Sequence, residues 1–195
     1  MKRIVCATGN PGKLREFHLA GQVLAIDVRA LDGLKTIPAP EESGSTFEEN
    51  ACIKAVYYSQ FTTDLLFADD SGLAVDALGG EPGVLSARYA GPDATDAANN
   101  ALLLERMADK PLRTARFVCV IALAYQGKVI QTFRGEVEGE IIAEAQGTEG
   151  FGYDPLFYFP PLGCTFGEVE GEKKFDVSHR GKALRALMDF FQCGN

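Results

Sequence analysis

Two adjacent aspartates, Asp69 and Asp70, directly follow an apolar run at residues 65–68 in the stretch FADDSGLAVDALGG. Side chains alternate along a strand, so the two carboxylates point to opposite faces and at most one lies in a given cleft. A carboxylate held against apolar surroundings needs a metal ion, a proton or a basic partner. The alternative is an ordinary Asp turn followed by Ser-Gly.

Two further segments have the chemistry to bind an anion. TGNPGK at residues 8–13 places backbone N–H groups, an Asn amide and Lys13 at a strand-to-helix turn, which attracts phosphate. It lacks the spacing of a Walker loop or a dinucleotide-binding loop, and a plain Gly-Pro turn is the alternative. In SHRGKALRAL, His179 and Arg180 lie in the first turn of a helix, where acidic residues are preferred. Two basic side chains beside free N–H groups suit an anion. The alternative is a pair of tolerated surface residues.

Acidic and basic side chains near residue 45 form a weaker candidate site. Glu41 and Glu42 lie in the loop segment EESG, and oxygen ligands on loops suit Mg²⁺. Two solvated glutamates are the alternative. Lys54, on the helix that follows, has the length to reach a phosphate or to remain solvated.

The loop GFGYDP at residues 150–155 combines aromatic rings with one carboxylate. The rings of Phe151 and Tyr153 offer faces on which a base can stack, and Asp154 lies next to them. The alternative is a structural loop whose aromatic rings belong to the core.

Hydrophobic patterns and capping signals predict the elements that position these residues. The predicted strands are 2–8, 24–30, 65–68 with an extended continuation, and a hairpin of 113–125 and 128–142 around Gln126-Gly127. The predicted helices are 14–21, 47–60 after a Thr46–Glu49 capping box, and one from Thr95 or Asp96 to Met107. A short helix is predicted after a Thr165–Glu168 capping box. Ser178 caps the last predicted helix, whose inward side chains are Leu184, Leu187, Phe190 and Phe191. Because parallel and antiparallel pairings are both required, we expect a mixed, twisted α/β sheet covered by helices.

Length and composition fit one domain spanning residues 1–195, at 195 residues and 21.0 kDa. The contents of 46% hydrophobic and 24% charged residues are typical of a soluble globular protein. With 19 basic and 27 acidic residues the net charge is −8, which disfavours a nucleic-acid polymer as partner but permits a small polyanion at a local basic cluster.

The five cysteines, Cys6, Cys52, Cys119, Cys164 and Cys193, are far apart and show no C-x-x-C spacing. We expect reduced thiols that mostly pack in the interior.

No apolar stretch is long enough to span a bilayer, and the chain does not start with an apolar signal segment. These features predict a cytoplasmic protein that does not bind membranes.

Taken in order, the segments TGNPGK, EESGSTFEENACIKA, ADDSGLAVDALGGEPGVLSARYAG, GFGYDP and SHRGKAL closely resemble the inosine triphosphate pyrophosphatase family, nearly end to end. The resemblance implies an α/β fold with two lobes and a nucleotide-binding cleft between them. It also implies Mg²⁺-dependent hydrolysis of ITP, dITP and XTP at the α-β phosphate bond, giving the monophosphate and pyrophosphate. Such an enzyme keeps deaminated purines out of DNA and RNA precursors, usually as a homodimer.

The resemblance assigns roles to individual residues. Asp70 would bind the metal and act as the catalytic base, Glu41 would complete the metal site, and Asp69 and Glu42 would support it. The implied substrate-binding residues are Thr8, Gly9, Asn10, Pro11, Gly12, Lys13, Lys54, Ser71, Phe151, Gly152, Tyr153, Asp154, Lys174, His179 and Arg180. Glu149 departs from the smaller residue expected before Gly150, which bears on details of the base-binding loop.

Two other functions fit parts of the sequence. Asp70-Ser71-Gly72 after an apolar strand resembles the catalytic turn of an aspartic protease, but that mechanism needs a second such turn, and the sequence has none. A nucleotide sensor without turnover would use the same phosphate and base contacts, and only the carboxylates distinguish it from an enzyme.

Overall fold

A computed structural model describes residues 2–192 and shows one mixed seven-stranded sheet with helices on both faces. The strands are β1 (Lys2–Cys6), β2 (Ile26–Ala30), β3 (Leu66–Val75), β4 (Thr114–Tyr125), β5 (Lys128–Ile141), β6 (Phe157–Phe159) and β7 (Cys164–Thr165). The helices are α1 (Pro11–Val23), α2 (Phe47–Tyr58), α3 (Asp96–Met107), α4 (Gly171–Val177) and α5 (His179–Gln192). The strand order is β2-β1-β3-β4-β5-β6-β7, and only β2, β1 and β3 pair in parallel, so the predicted mixed sheet is confirmed.

The helices begin where their capping residues place them. The side chain of Asn10 accepts a hydrogen bond from the Lys13 N–H at 3.0 Å, and Pro11 occupies the first helical position. Helix α1 therefore starts at Pro11, three residues before the predicted start, and the TGNPGK segment runs into its first turn. The capping box of Thr46 and Glu49 is confirmed, and α3 is capped by Thr95.

Strand β3 continues through the aspartate pair. Asp69 lies opposite Ile121 and Asp70 opposite Val120 of β4, so the predicted strand at 65–68 and its extended continuation are one unbroken strand, and the alternative of an Asp turn is wrong. The continuation depends on a close contact at Gly72, where an added Cβ would clash with Ser86 Oγ. Ser86 in turn accepts the Leu73 N–H at 2.9 Å.

The hairpin of β4 and β5 is the longest element of the sheet, and its predicted turn is confirmed. Gln126 and Gly127 both have positive φ, 47° and 78°, which matches the right-handed twist of the strands. Along β5, Gly135 allows the first turn of α5 to lie directly on the strand, because an added Cβ would clash with the His179 carbonyl oxygen.

Three groups of buried side chains form the core. One lies between the sheet and helices α1 and α5 and includes Phe17, Phe67 and Leu184; Leu187 is also buried there, with Phe190 and Phe191 partly buried at its edge. A second lies under α2 on the opposite face. The third, the α3 cluster, joins the far ends of β3, β4 and β5 to α3 and to the segment around β6 and β7.

The apolar residues of β4, and most of those at 156–159, lie in the interior. Residues 117–124 of β4 are all buried, as are Leu156 and Phe157. Exposed large apolar side chains occur at the hairpin end, in Tyr125, Val129 and Ile130. The neighbouring residue Phe61 is also half exposed, and its short turn is tied to the hairpin by a hydrogen bond from the Gly127 N–H to Ser59 Oγ.

The cysteines in the described part of the chain are free thiols, in line with the expectation. Cys6 and Cys119 are buried, and burial raises the pKa of the Cys119 thiol to about 12. Cys52 and Cys164 are partly buried, and Cys193 lies outside the described residues.

Within residues 2–192, no helix is both long and apolar enough to cross a membrane.

Candidate functional site

The two aspartates of β3 each meet a lysine, on opposite faces of the sheet. Asp69 Oδ2 lies 2.9 Å from Lys13 Nζ, at the start of α1, and Asp70 Oδ1 lies 3.0 Å from Lys54 Nζ, on α2. This arrangement is the one that side-chain alternation predicts. Both aspartates are almost fully buried, so each depends on its basic partner.

The Asp70 face brings two carboxylates around one cation. Lys54 Nζ also lies 2.8 Å from Glu42 Oε2, so the ammonium bridges Glu42 and Asp70. Asn50 donates a 3.4 Å hydrogen bond to Asp70 and accepts the Gly44 N–H at 2.8 Å, which fixes the glutamate loop to α2. Burial raises the pKa of Asp70, and the Lys54 charge only partly opposes that rise.

The oxygen donors on this face fit a divalent ion that shares its coordination with a ligand. Mg²⁺ is usually held by one or two carboxylates together with phosphate oxygens and water. Asp70 and Glu42 supply that number, and residues 2–192 contain no cluster of three or more acidic, His or Cys side chains that would form a closed cage. Glu41 is exposed, and no hydrogen bond or ion pair in this part of the chain joins it to Asp70.

The turn before α1 offers backbone donors next to Lys13. Thr8 Oγ1 accepts the Asn10 N–H at 3.3 Å, which shapes the turn, and the space beside Gly9 is open. The helix that follows has 13 residues, so its first N–H groups present a partial positive charge. The six residues of the predicted anion-binding turn are Thr8, Gly9, Asn10, Pro11, Gly12 and Lys13.

A chain of buried charges extends from Asp69 toward α5. Ser71 Oγ donates to Asp69 Oδ2 at 3.1 Å and accepts from Arg180 Nη2 at 2.9 Å. The other terminal nitrogen of Arg180 pairs with Glu16. Burial alone would raise the pKa of Asp69, but the charges of Lys13 and Arg180 outweigh it and hold the pKa below its usual value.

The same chain continues from Glu16 into the GFGYDP loop. Lys174 Nζ lies 2.7 Å from Glu16 Oε1 and 2.6 Å from Asp154 Oδ2. Asp154 then accepts the Phe151 N–H at 2.8 Å. Burial lowers the pKa of Lys174, but the two neighbouring carboxylates raise it by more, so the net shift is upward. Burial also raises the pKa of Asp154, and the nearby Lys174 charge offsets only part of that rise.

The ring of Phe151 lies over the start of α1. An added Cβ at Gly12 would lie 2.6 Å from the ring, whose centre is 5.3 Å from Lys174 Nζ and 5.4 Å from the guanidinium carbon of Arg180. Phe151 therefore joins the predicted anion-binding turn to the buried charges. Next to it is a cavity of about 170 Å³, lined by Gly12, Arg15, Glu16, Leu19, Glu149, Gly150, Phe151, Val169, Gly171 and Lys174. The unexpected Glu149 is thus a cavity residue.

Helix α3 holds the GFGYDP loop at Gly152. Asp96 accepts the Gly152 N–H at 2.7 Å, and Asn100, one helical turn later, donates to the Gly152 carbonyl oxygen at 3.0 Å. Gly152 has φ +62°, a left-handed conformation that favours glycine. The two α3 side chains thereby fix the backbone between Phe151 and Asp154.

Tyr153 corrects one expectation about this loop. Its ring is 4% exposed and packs in the α3 cluster of the core, and its hydroxyl donates to the Ser86 carbonyl oxygen at 2.8 Å. The ring therefore offers no free face for stacking. Of the two aromatic residues predicted to frame a base, only Phe151 lies beside the cavity.

His179 and Arg180 are interior residues and not an open helix end. The His179 ring stacks on Phe117, with ring centres 4.8 Å apart and planes 12° apart, and Nδ1 has no hydrogen-bond partner within the described chain. Burial, reinforced by the positive charge of Arg180, lowers the pKa of His179 well below its usual value. The imidazole is therefore neutral, and the alternative of a tolerated surface pair is wrong.

Sequence patterns did not identify four residues that hold this site together, Glu16, Asn50, Asp96 and Asn100. Glu16 lies three residues after Lys13 on α1, and this spacing predicts that the two side chains share one face of the helix. The other three act on groups that are distant in sequence, which no local pattern shows.

The fold and the site together define a class of α/β protein that binds a polyanionic ligand where β1 ends beside the interior strand β3. A helix N-terminus, two lysines paired with aspartates, and a polar cavity beside an aromatic ring meet there. Such a site has donors for phosphate groups and, a short distance away, a pocket with both charged and aromatic contacts for a second part of the ligand.

Similarity to known proteins gives the family. The Ham1 family model matches residues 4–190, so the chain belongs to the Ham1 family. The dITP/XTP pyrophosphatase of Exiguobacterium sibiricum is 51% identical over 187 residues, covering 95% of this chain and 94% of that protein. A dITP/XTP pyrophosphatase of Thermus thermophilus is 49% identical over 98% of this chain and 93% of its own length. The Staphylococcus aureus Ham1 protein structure is 40% identical, with a TM-score of 0.87 and full coverage of both chains. The resemblance to the pyrophosphatase family is confirmed.

Replacing His179 is expected to change how stability depends on pH. Unfolded histidine binds a proton below about pH 6.5, and the native side chain does not, so wild-type stability falls as pH falls through that value. In His179→Phe, which keeps a ring against Phe117, this slope should decrease by up to about 1.4 kcal/mol per pH unit. Urea unfolding between about pH 7.5 and 5.5 measures the difference.

The variant His18→Gln controls for the loss of a histidine as such, because His18 is exposed on α1. Equal slopes for wild type and His179→Phe would contradict the neutral, buried state of His179.

Proposed function

We propose that this chain is a single-domain, Mg²⁺-dependent pyrophosphatase that hydrolyses ITP, dITP and XTP between the α and β phosphates. The products are the nucleoside monophosphate and pyrophosphate. The observation that carries the proposal is the pair of buried aspartates on β3, one held by the lysine of an anion-binding turn and the other facing a second lysine and Glu42. Two relatives with about half their residues identical are named dITP/XTP pyrophosphatases.

The triphosphate would lie along the turn at residues 8–13. Helix N-terminal N–H groups and the Lys13 ammonium provide donors for its oxygens. Lys54, on α2, would reach the triphosphate from the other face of the sheet. Lysines fixed by carboxylates before substrate binds stabilise charge that develops on phosphate oxygens without needing to reorganise.

Asp70 is the proposed catalytic base. Lys54 and Asn50 hold its carboxylate in place, so that it can accept a proton from a water bound at the same site. Asp70, with Glu42 and the neighbouring Glu41, would hold Mg²⁺. When bound, Mg²⁺ would neutralise phosphate charge and lower the pKa of a coordinated water. Asp70 would take the proton of the attacking water, while Asp69 stays ionised and holds Lys13.

The purine would occupy the cavity beside Phe151, near Lys174, Asp154, His179 and Arg180. Lys174 can only donate hydrogen bonds, so it favours a 6-oxo group over the 6-amino group of adenine. A buried donor left unpaired costs about 1–3 kcal/mol, which corresponds to roughly 5- to 150-fold in discrimination. Rejection of GTP requires a further penalty at the 2-position of the ring.

The nucleotide sensor and the protease are the alternatives. A sensor would bind the same ligands without turnover. A protease would need its aspartate on a turn with a second D-[ST]-G segment, whereas the aspartates here lie inside a continuous strand and the sequence has no such second segment. The pyrophosphatase uses Lys13, Lys54 and Asp70 together, and we therefore favour it.

We also propose that the enzyme acts in the cytoplasm, where nucleotide precursor pools are held, and that it forms a homodimer. The exposed apolar side chains at the hairpin end, Tyr125, Val129 and Ile130 together with Phe61, supply surface for such a contact.

The proposed reaction is tested by assaying ITP, XTP, GTP and ATP with and without Mg²⁺, with pyrophosphate and orthophosphate measured separately. We expect pyrophosphate from ITP and XTP, only with the metal, and much less from GTP and ATP. Release of orthophosphate would move the cleavage to another bond. Tight binding of ITP with no turnover would support the sensor.

The variant Asp70→Asn is expected to bind ITP nearly as tightly as wild type and to lose more than about 1000-fold in kcat, because the base is removed while the hydrogen-bonding shape is kept. Asp109→Asn, at an exposed position, is the matched control and should retain full turnover. Retained turnover in Asp70→Asn would refute Asp70 as the base, and loss of binding would assign it mainly to metal binding.

The homodimer predicts a particle of twice the chain mass in light scattering. Val129→Lys, which places charge in the exposed apolar patch, should shift the population toward the monomer. A 21.0 kDa species in the wild type at all concentrations would rule out the dimer.

A further inference from the structure

The hydroxyl of Ser71 connects two groups of buried charges. It donates its single proton to Asp69, at 3.1 Å, and its oxygen accepts from Arg180, at 2.9 Å. The direction is fixed, because an ionised carboxylate only accepts and a guanidinium only donates. The proton and one of the two lone pairs of the hydroxyl are therefore used within the protein, in addition to the substrate contact that the family resemblance implied.

The groups on the two sides of Ser71 serve different parts of the proposed substrate. On one side, Asp69 holds Lys13 at the phosphate turn. On the other, Arg180 pairs with Glu16, which binds Lys174 beside the cavity. Among the side-chain hydrogen bonds and ion pairs of residues 2–192, those of Ser71 join these two groups.

The atoms next to Ser71 have no substitute partners. Asp69 Oδ1 and Arg180 Nε are both buried without a hydrogen bond in the described chain. Without the hydroxyl, Asp69 would keep only Lys13 as a close partner, and Arg180 would keep only Glu16. A buried carboxylate that loses one of two donors binds the remaining cation more strongly, so Lys13 would respond less to the charge that develops on phosphate in the transition state.

We propose that Ser71 is a positioning residue that couples occupation of the purine cavity to the placement of Lys13 on the triphosphate. The proposal rests on the proposed function. A correct base that keeps Lys174, Glu16 and Arg180 in these positions holds the Ser71 hydroxyl between Arg180 and Asp69. The hydroxyl then shares the charge of Asp69, so that Lys13 can stabilise the charge that develops on phosphate in the transition state. The binding free energy of the base thereby raises kcat and not only affinity.

The test compares Ser71→Ala with Ser71→Thr, which retains a hydroxyl on a side chain suited to a strand. For ITP, Ser71→Ala should lose about 10- to 100-fold in kcat, the range for a hydrogen bond to a charged group, with KM within about threefold of wild type. Ser71→Thr should recover kcat to within about threefold. Inorganic tripolyphosphate, which has no base, should inhibit Ser71→Ala and wild type with the same constant.

Ser59→Ala is the matched control, since it removes a buried serine hydroxyl that bonds only to backbone groups away from the site. Thermal unfolding of each variant reports whether it is folded.

Three results would overturn the coupling. These are an unchanged kcat in Ser71→Ala, a loss of tripolyphosphate inhibition as large as the loss in kcat, and a folded Ser71→Thr that is as slow as Ser71→Ala. Failure of the proposed function is separate, because the wild type would then release no pyrophosphate from ITP.

Discussion

The alternation of side chains along β3 is the constraint on which the site depends. Two neighbouring carboxylates are fixed on opposite faces of one buried strand, and each requires a cation. Helix α1 supplies Lys13 to one face and helix α2 supplies Lys54 to the other. A sheet with helices on both faces is therefore necessary for this pair of charges, and the site cannot be assembled on one side of the sheet alone.

The charges on the Asp69 face show how such a site remains stable in a dry interior. Positive and negative side chains alternate along this series of contacts, in the order Lys13, Asp69, Arg180, Glu16, Lys174 and Asp154, with Ser71 between Asp69 and Arg180. Each buried ion has at least one opposite neighbour or a hydroxyl, which is the condition for offsetting the desolvation penalty. Glu16 is central because it compensates two cations at once.

The sequence predicted the features that depend on local chemistry. The capping box at Thr46, the turn at Gln126-Gly127 and the mixed sheet follow from residues close together in the chain. An extended continuation after residue 68 was predicted, but the unbroken strand through Asp69 and Asp70 was not, because it depends on pairing with the distant strand β4. The anchoring of Gly152 by α3 and the burial of Tyr153 likewise depend on packing between distant segments. The family resemblance supplied site residues that local patterns alone left with alternatives.

The absence of a side chain at Gly135 fixes the height of Arg180 above the sheet. Because β5 has no Cβ there, the first turn of α5 rests on the strand backbone. Arg180 belongs to that turn, and its contacts with Ser71 and Glu16 leave little freedom in its height above the sheet. A methyl group at position 135 would raise the turn and displace the Arg180 guanidinium from Ser71 and Glu16, so a single backbone position distant in sequence from β3 controls whether the buried charges meet.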